Sequence, residues 1–315
     1  MLTKKNHLPK YSEGSCSSQV FGSRLRLFNS IEGGSKYWTR ELLQHGAEEL
    51  IYRIESGVYD YEKRSAMRIR ENVLKYSTEE LLSEIHGVGA RFITPDSPEW
   101  PPLLNDLLAP PFGLIVKGRA LPTKAIAIVG TRNPTTYGAR VASEFAAGFA
   151  DREWAVISGG AYGIDTHAHR GSIAAEGVTC AVLASGVCVN YPSGNEKLFV
   201  EIQESGALIS EVMPHVRARP ERFLTRNRII AALSLGTIVV EAAFRSGSLR
   251  TARDAAEILR IVMAVPGPIT SPSSDGCHRL IGERCAEIVT SVSDALELLL
   301  PVSSQSTGTL SADDT

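Results

Sequence analysis

The chemistry of this sequence is concentrated in ERFLTRNRIIAALS, residues 221–234, where arginines flank an aromatic residue before the chain turns apolar. Between residues 213 and 228 five arginines (Arg217, Arg219, Arg222, Arg226, Arg228) stand against one acid, Glu221, in a chain whose formal net charge is −2. A guanidinium presents five donors in a planar fork suited to phosphate, and Phe223 offers a flat face on which a base can stack. Together they form a local grip for a polyanion. The bland alternative is a solvated loop whose arginines pair with nearby carboxylates.

Three glycine- or serine-rich turns add to this patch. AIAIVG runs into TRNPTTYG, placing Gly130, Thr131 and Arg132 at a turn ahead of a helix that begins near Ala139. Backbone freed by glycine, with an arginine beside it, makes an anion nest. WAVISGG runs into AYGID, where Ser158, Gly159, Gly160 and Gly163 allow a ligand close to the backbone, and GTIVVEAAFRSGSLRTA puts Ser246, Gly247 and Ser248 before another helix. Each turn alone is more often only a turn. On one sheet edge, beside the arginines, they form an extended surface for an anionic ligand.

Other chemistries fit poorly. GGAYGID lacks the GxGxxG spacing of a dinucleotide fingerprint, and the sequence has no GxxxxGK[ST] phosphate loop, so no nucleotide cofactor is expected. DTHAH (Asp165, His167, His169) alternates ligand types, but residues two apart on a helix do not face each other, and no metal is expected there. Glu211 and Glu241 at strand ends have no nucleophile beside them and are read as holding arginines or backbone donors. No catalytic residue is assigned.

These turns need a scaffold, and the hydrophobic pattern supplies it. AIAIVG, WAVISGG, TCAVLASG, GALISE, GTIVVEAA and IVMAVPG are apolar throughout and separated by helical stretches, as in a parallel sheet covered on both faces. The fold class is α/β, an extended Rossmann-like, mostly parallel sheet with a small N-terminal helical domain. In such sheets ligands sit beyond the carboxyl ends of the strands. The expected organisation is a flexible arm over 1–36 with at most one helix, on the short apolar VFGSRLRLF, a small helical domain over 37–94, the Rossmann-like domain over 95–300 and a disordered polar tail over 301–315. The 43% apolar content of the 315 residues suffices for a sizeable core. No apolar run approaches the roughly 20 residues that cross a bilayer, and the N-terminus lacks the apolar stretch of a signal peptide, so a cytoplasmic protein without membrane contact is expected. Five cysteines without CxxC spacing fit reduced thiols.

From about Pro95 to Leu299 the chain resembles the DNA-processing protein family, DprA (also called Smf). The matching segments, in order, are PDSPEWPPLLNDLLAPPFGLIVKG, IAIVGTRNPTTYG, VISGGAYGIDTHAHRGSI, GVCVNYPSGNEKL, ALISEVMP, RFLTRNRIIAALS, VVEAAFRSGSLRTARDA, AVPGPI and GCHRLI. The resemblance implies a domain that binds single-stranded DNA, self-associates as a homodimer and delivers the recombinase RecA onto DNA taken up in natural transformation, with no reaction catalysed. It places Arg132 at the pocket, carries the SGGAxGID match onto Ser158, Gly159, Gly160, Gly163, Ile164 and Asp165, and the RNR match onto Arg226, Asn227 and Arg228. The last match, SGSLxTA, covers Ser246, Gly247, Ser248 and Thr251. With Arg222 and Phe223 these residues form the candidate DNA site.

The sequence departs from the family at Leu224, where proline is common, and at His278, where asparagine is usual. Many relatives continue into a small winged-helix-like domain where this sequence turns polar. The alternative reading is a nucleotide phosphoribohydrolase on a related sheet. Its PGGxGTxxE signature is missing: SGSLRTARD lacks the glycine pair and ends in Asp254.

Overall fold

The computed structural model describes residues 18–61 and 64–299. Four helices open it: α1 (Ser18–Ser30), α2 (Lys36–Glu55), α3 (Arg64–Lys75) and α4 (Thr78–Gly87). Two short strands follow, β1 (Arg91–Ile93) and β2 (Leu114–Gly118), and then strands and helices alternate. The first half of that alternation is β3 (Ala125–Val129), α5 (Thr136–Ala150), β4 (Ala155–Ser158), α6 (Ile164–Ala174), β5 (Thr179–Leu183), α7 (Glu196–Ser205) and β6 (Ala207–Ser210). After α8 (Pro220–Ala232) come β7 (Gly236–Val239), α9 (Ser248–Glu257), β8 (Ile261–Ala264), α10 (Asp275–Gly282), β9 (Glu287–Ile288) and α11 (Val292–Leu299).

The strands form one sheet in the order β1-β2-β6-β5-β4-β3-β7-β8-β9. The six apolar runs of the sequence are its six central parallel strands, and β3 through β7 are buried at every position. That is what a sheet covered by helices on both faces demands. The order runs outward from β3 to β4, β5 and β6 on one side, then returns to β7 on the other, where Val129 pairs with Val239. Adjacent loops therefore leave β3 and β7 in opposite directions, and a crevice opens between them at the switch point.

The antiparallel pairs β1-β2 and β2-β6 extend one edge of the sheet. Residues 18–30 are not the loose arm expected of them. Phe21, Leu25 and Phe28 recur at helical spacing, Leu25 and Leu27 are fully buried, and the Phe21 and Phe28 rings lie 5.5 and 5.0 Å from Phe92 on β1. Helix α1 thus joins the helical layer to the sheet. One core runs from Leu50 and Ile85 to Ile115, Leu183 and Leu208, without the break expected at residue 94. The short apolar run VFGSRLRLF allowed this one helix, but not its docking on the sheet. The remainder of the arm, residues 1–17, and the expected tail at 301–315 lie outside the described residues.

Candidate nucleic-acid interface

A cavity of about 330 Å³ opens at the switch point, over the carboxyl ends of β3 and β4 and between α8 and the start of α9. Of the residues expected there, Gly130, Arg132, Phe223, Arg226, Asn227, Ser246, Gly247 and Ser248 line it, joined by Asp165, Leu224, Ile230 and Thr251. Helix periodicity explains the selection from α8. Pro220 occupies its first turn, so the segment is helical from the start rather than a loop, and Phe223, Arg226, Asn227 and Ile230 fall on one face.

The same rotation turns the other two arginines away. Arg222 pairs with Glu32 through its Nε and Nη2 and donates from Nη1 to the Arg217 carbonyl at 2.8 Å. Arg228 pairs with Glu211 and donates to the Ala109 carbonyl at 2.8 Å. Burial pushes the Glu211 carboxyl up and Arg228 opposes that shift. Both arginines, assigned to the site from the linear cluster, are structural braces. Contiguity in sequence is not contiguity on a helix.

Arg132 is different. It is exposed, pairs with no carboxylate among the described residues, and its guanidinium lies 5.1 Å from the centre of the Phe223 ring. Phe223 is half-buried, with Tyr191 against it at 5.3 Å and 61°. A free cation over a partly exposed ring is an arrangement that meets a phosphate and a base together. Tyr191 falls in GVCVNYPSGNEKL, one of the segments that carry the family resemblance, but is not among the residues assigned to the site.

The turn after β4 is built for an internal ligand. The Gly159 and Ala161 amides both donate to the Asp165 carboxylate, at 3.1 and 3.3 Å. Asp165 is buried, which raises its carboxyl, while Arg226 and the two amides act against the rise. Those donors are spent on the protein itself and not on a phosphate. A side chain at Gly159 would strike the Arg226 guanidinium, and one at Gly160, whose φ is +66°, would strike the Phe199 ring. These glycines make room for core packing rather than for a strand of DNA. Gly163 closes the turn against the backbone of Thr131 and Arg132. Ser158 is fully buried and donates to the Ile128 carbonyl at 2.7 Å, and the Thr131 amide donates to the Glu241 carbonyl at 2.7 Å. Neither is available to a ligand.

Glu241, buried at the end of β7, accepts from the Thr135 amide at 2.9 Å and the Thr135 hydroxyl at 2.6 Å. Thr135 in turn caps α5. This carboxylate fixes the loop that carries Arg132. On the other wall Asn227 donates to the Gly247 carbonyl at 3.3 Å, tying the Ser246-Gly247-Ser248 turn to α8.

Arg226 sits at the floor, 7% exposed, donating to the Val182 carbonyl, and burial lowers its pKa to about 10. His169 lies near it, fully buried. The Thr179 hydroxyl donates to the Val156 carbonyl, so His169 Nδ1 must carry the proton it shares with Thr179 at 2.7 Å, and Nε2 is left as a bare acceptor. Burial, and then the Arg226 charge, press the imidazole down to about 3. Its folded pKa lies below the unfolded value, so the neutral ring stabilises the fold at neutral pH. That contribution drains away below the unfolded value of about 6.5, at about 1.4 kcal/mol per pH unit. Urea unfolding between about pH 7 and pH 5 should show this loss, reduced in His169→Asn. An equal loss in the variant would assign it to other groups.

A wider hollow of about 1010 Å³ lies among α1, α2, α4 and residues 91–99. Its ionisable lining, Glu48, Glu55, Glu79, Asp96 and Glu99 against Arg26, Arg91 and His86, has the wrong sign for a polyanion. Among the described residues no cluster of His, Cys, Asp or Glu could hold a metal ion, and no helix is long and apolar enough to cross a membrane.

The family model described as DNA recombination-mediator protein A matches residues 91–300. The chain belongs to that family. The matched span covers the whole sheet and every wall of the cavity. Among curated members, a DNA processing protein DprA of Mycobacterium tuberculosis is 45% identical over 226 residues, covering 67% of this chain and 58% of its own length. Protein Smf of Escherichia coli is 41% identical over 210 residues, covering 66% of this chain and 56% of its own length. The chain therefore spans under three-fifths of these two relatives. A solved DprA from Streptococcus pneumoniae superposes with a TM-score of 0.75 at 30% identity, over 89% of this chain and 97% of that one. DprA from Helicobacter pylori, solved in a study of its single-stranded DNA binding mode, gives 0.60 at 27% identity over 66% of this chain and 95% of that one.

Proposed function

We propose that this chain binds single-stranded DNA in the switch-point cavity and acts as a mediator that loads RecA, in DNA processing of the kind that serves natural transformation in the cytoplasm. The observation that carries the reading is Arg132 over Phe223, a guanidinium free of carboxylates beside a partly exposed ring. Backbone phosphates meet the cation, and a base of any identity meets the ring. Binding rather than catalysis suits the cavity. Its one carboxylate, Asp165, is engaged by two amides and pressed by a buried arginine, which leaves no poised base for a phosphoribohydrolase.

Titration of a labelled oligonucleotide, single-stranded against duplex, tests the binding. Roughly two or three phosphates neutralised give a slope of log affinity against log salt of about −1.4 to −2.1 for single strands. A flat response, or equal preference for duplex, contradicts the reading. Addition of RecA to DNA covered by a single-strand-binding protein, with and without this chain, tests the mediator role: unchanged nucleation of RecA filaments contradicts it.

We also propose a homodimer. Strand β9 lies at the open margin of the sheet with Ile288 53% exposed, and an unpaired edge of that kind is a template for a second copy. Light scattering that returns the monomer mass at micromolar concentration contradicts it.

A further inference from the structure

A second partly exposed aromatic side chain adjoins Phe223 at the edge of the cavity. Tyr191 is 49% exposed, its ring meets Phe223 at 5.3 Å, and its hydroxyl makes no hydrogen bond to the described residues. The loop that bears it is firmly held. Asn195, 3% exposed, donates to the Gly160 carbonyl at 3.0 Å and to the Thr166 hydroxyl at 2.9 Å, and the Gly194 amide donates to the Tyr162 hydroxyl at 3.2 Å. The 190–195 loop is thereby fastened to the turn after β4, which builds the cavity wall. A large ring left half in water on a tethered loop costs exposure of apolar surface and gains nothing by mobility.

Tyr191 does not line the cavity itself but adjoins it through Phe223, the ring that Arg132 and Tyr191 both lie against. Arg132 lies over the Phe223 ring and Tyr191 meets that ring at 61°, so the two rings present differently oriented surfaces. The spacing of about 5 Å between ring centres is within the reach of neighbouring bases in an unpaired strand, and stacking is tolerant of base identity.

We infer that Tyr191 is a second base-stacking position, so that the strand passes from Arg132 across Phe223 and leaves the cavity over the 190–195 loop. This rests on the cavity being the DNA site, and it adds a direction to the path. The alternative role for Tyr191 is only to buttress Phe223.

The test uses the full chain and thymine oligonucleotides in which one base at a time is replaced by 5-iodouracil, which on irradiation joins the aromatic ring stacked against it. Adducts are expected at Phe223 from one position and at Tyr191 from a neighbouring one, always in the same order along the strand. Tyr191→Ala should abolish the second adduct, keep the first, and weaken binding about 5- to 150-fold. Tyr191→Phe should bind as the unsubstituted protein does, and Tyr191→Leu as weakly as alanine. Rescue by leucine would assign a buttressing role and overturn the inference. So would adducts at Phe223 with none at Tyr191, a map that needs no variant and stands even if Tyr191→Ala unfolds. Failure of the underlying reading looks different: the unsubstituted chain does not bind, or Arg132→Ala binds as well as it does.

Discussion

Replacing Arg226 with alanine is expected to lower the free energy of unfolding by about 3–5 kcal/mol, the scale of removing a buried charge that opposes a second, here the Asp165 carboxylate. A linear reading of the arginine cluster expects the opposite, a phosphate contact that can be deleted without harm to the fold. Burial decides between them. Arg226 is 7% exposed, its guanidinium occupies the space over Gly159, and it is the charge that opposes the raised pKa of Asp165. Removing it leaves a carboxylate in a desolvated site and the Val182 carbonyl without its donor. Chemical denaturation of Arg226→Ala beside the unsubstituted chain measures the loss. A change below about 1 kcal/mol would mean that water reaches this floor and that the charge is not buried in solution.

Phe223→Ala is expected to act on binding instead, weakening single-stranded oligonucleotide by about 5- to 150-fold, or about 1–3 kcal/mol for one lost base stack. Its cost to stability should not exceed about 1.5 kcal/mol, the scale of an aromatic pair, because the ring is only half-buried and packs against Tyr191 and Arg132. Urea unfolding and affinity measured on one preparation separate the outcomes. A loss of about 3–5 kcal/mol of stability with normal affinity per folded molecule would make Phe223 a core residue.

The sheet was legible because fully buried parallel strands leave runs such as AIAIV and TCAVL that are apolar at every position, and no other element of that length does so. The same pattern pointed to the strand ends where the candidate cavity opens, at the reversal of strand order. The fate of single residues did not. Arg222, Arg226 and Arg228 are indistinguishable as letters, yet a step of about 100° per residue sends one to Glu32, one to the floor and one to Glu211. Likewise the glycines after β4 announce a turn with free amides, but only the folded chain shows that Asp165, reaching back from α6, takes them. Tyr191 lies in a segment that matches the family, but its proximity to Phe223, 32 residues away in the chain, shows only in the fold. Helix α1 is the one helix that VFGSRLRLF allowed in the arm, but its packing on Phe92 was not legible there.

The central claim is that the switch-point cavity holds single-stranded DNA through Arg132, and affinity together with melting temperature for Arg132→Ala tests it most directly. The side chain is exposed and has no acidic partner among the described residues, so the melting temperature should not move. Loss of a charge-assisted contact of about 1.5–3 kcal/mol should weaken binding of a thymine oligonucleotide by roughly 10- to 150-fold. The salt slope should become shallower by about 0.7, one phosphate fewer. Unchanged affinity and slope in a variant that melts with the unsubstituted chain would contradict the account and move the DNA site elsewhere on the molecule.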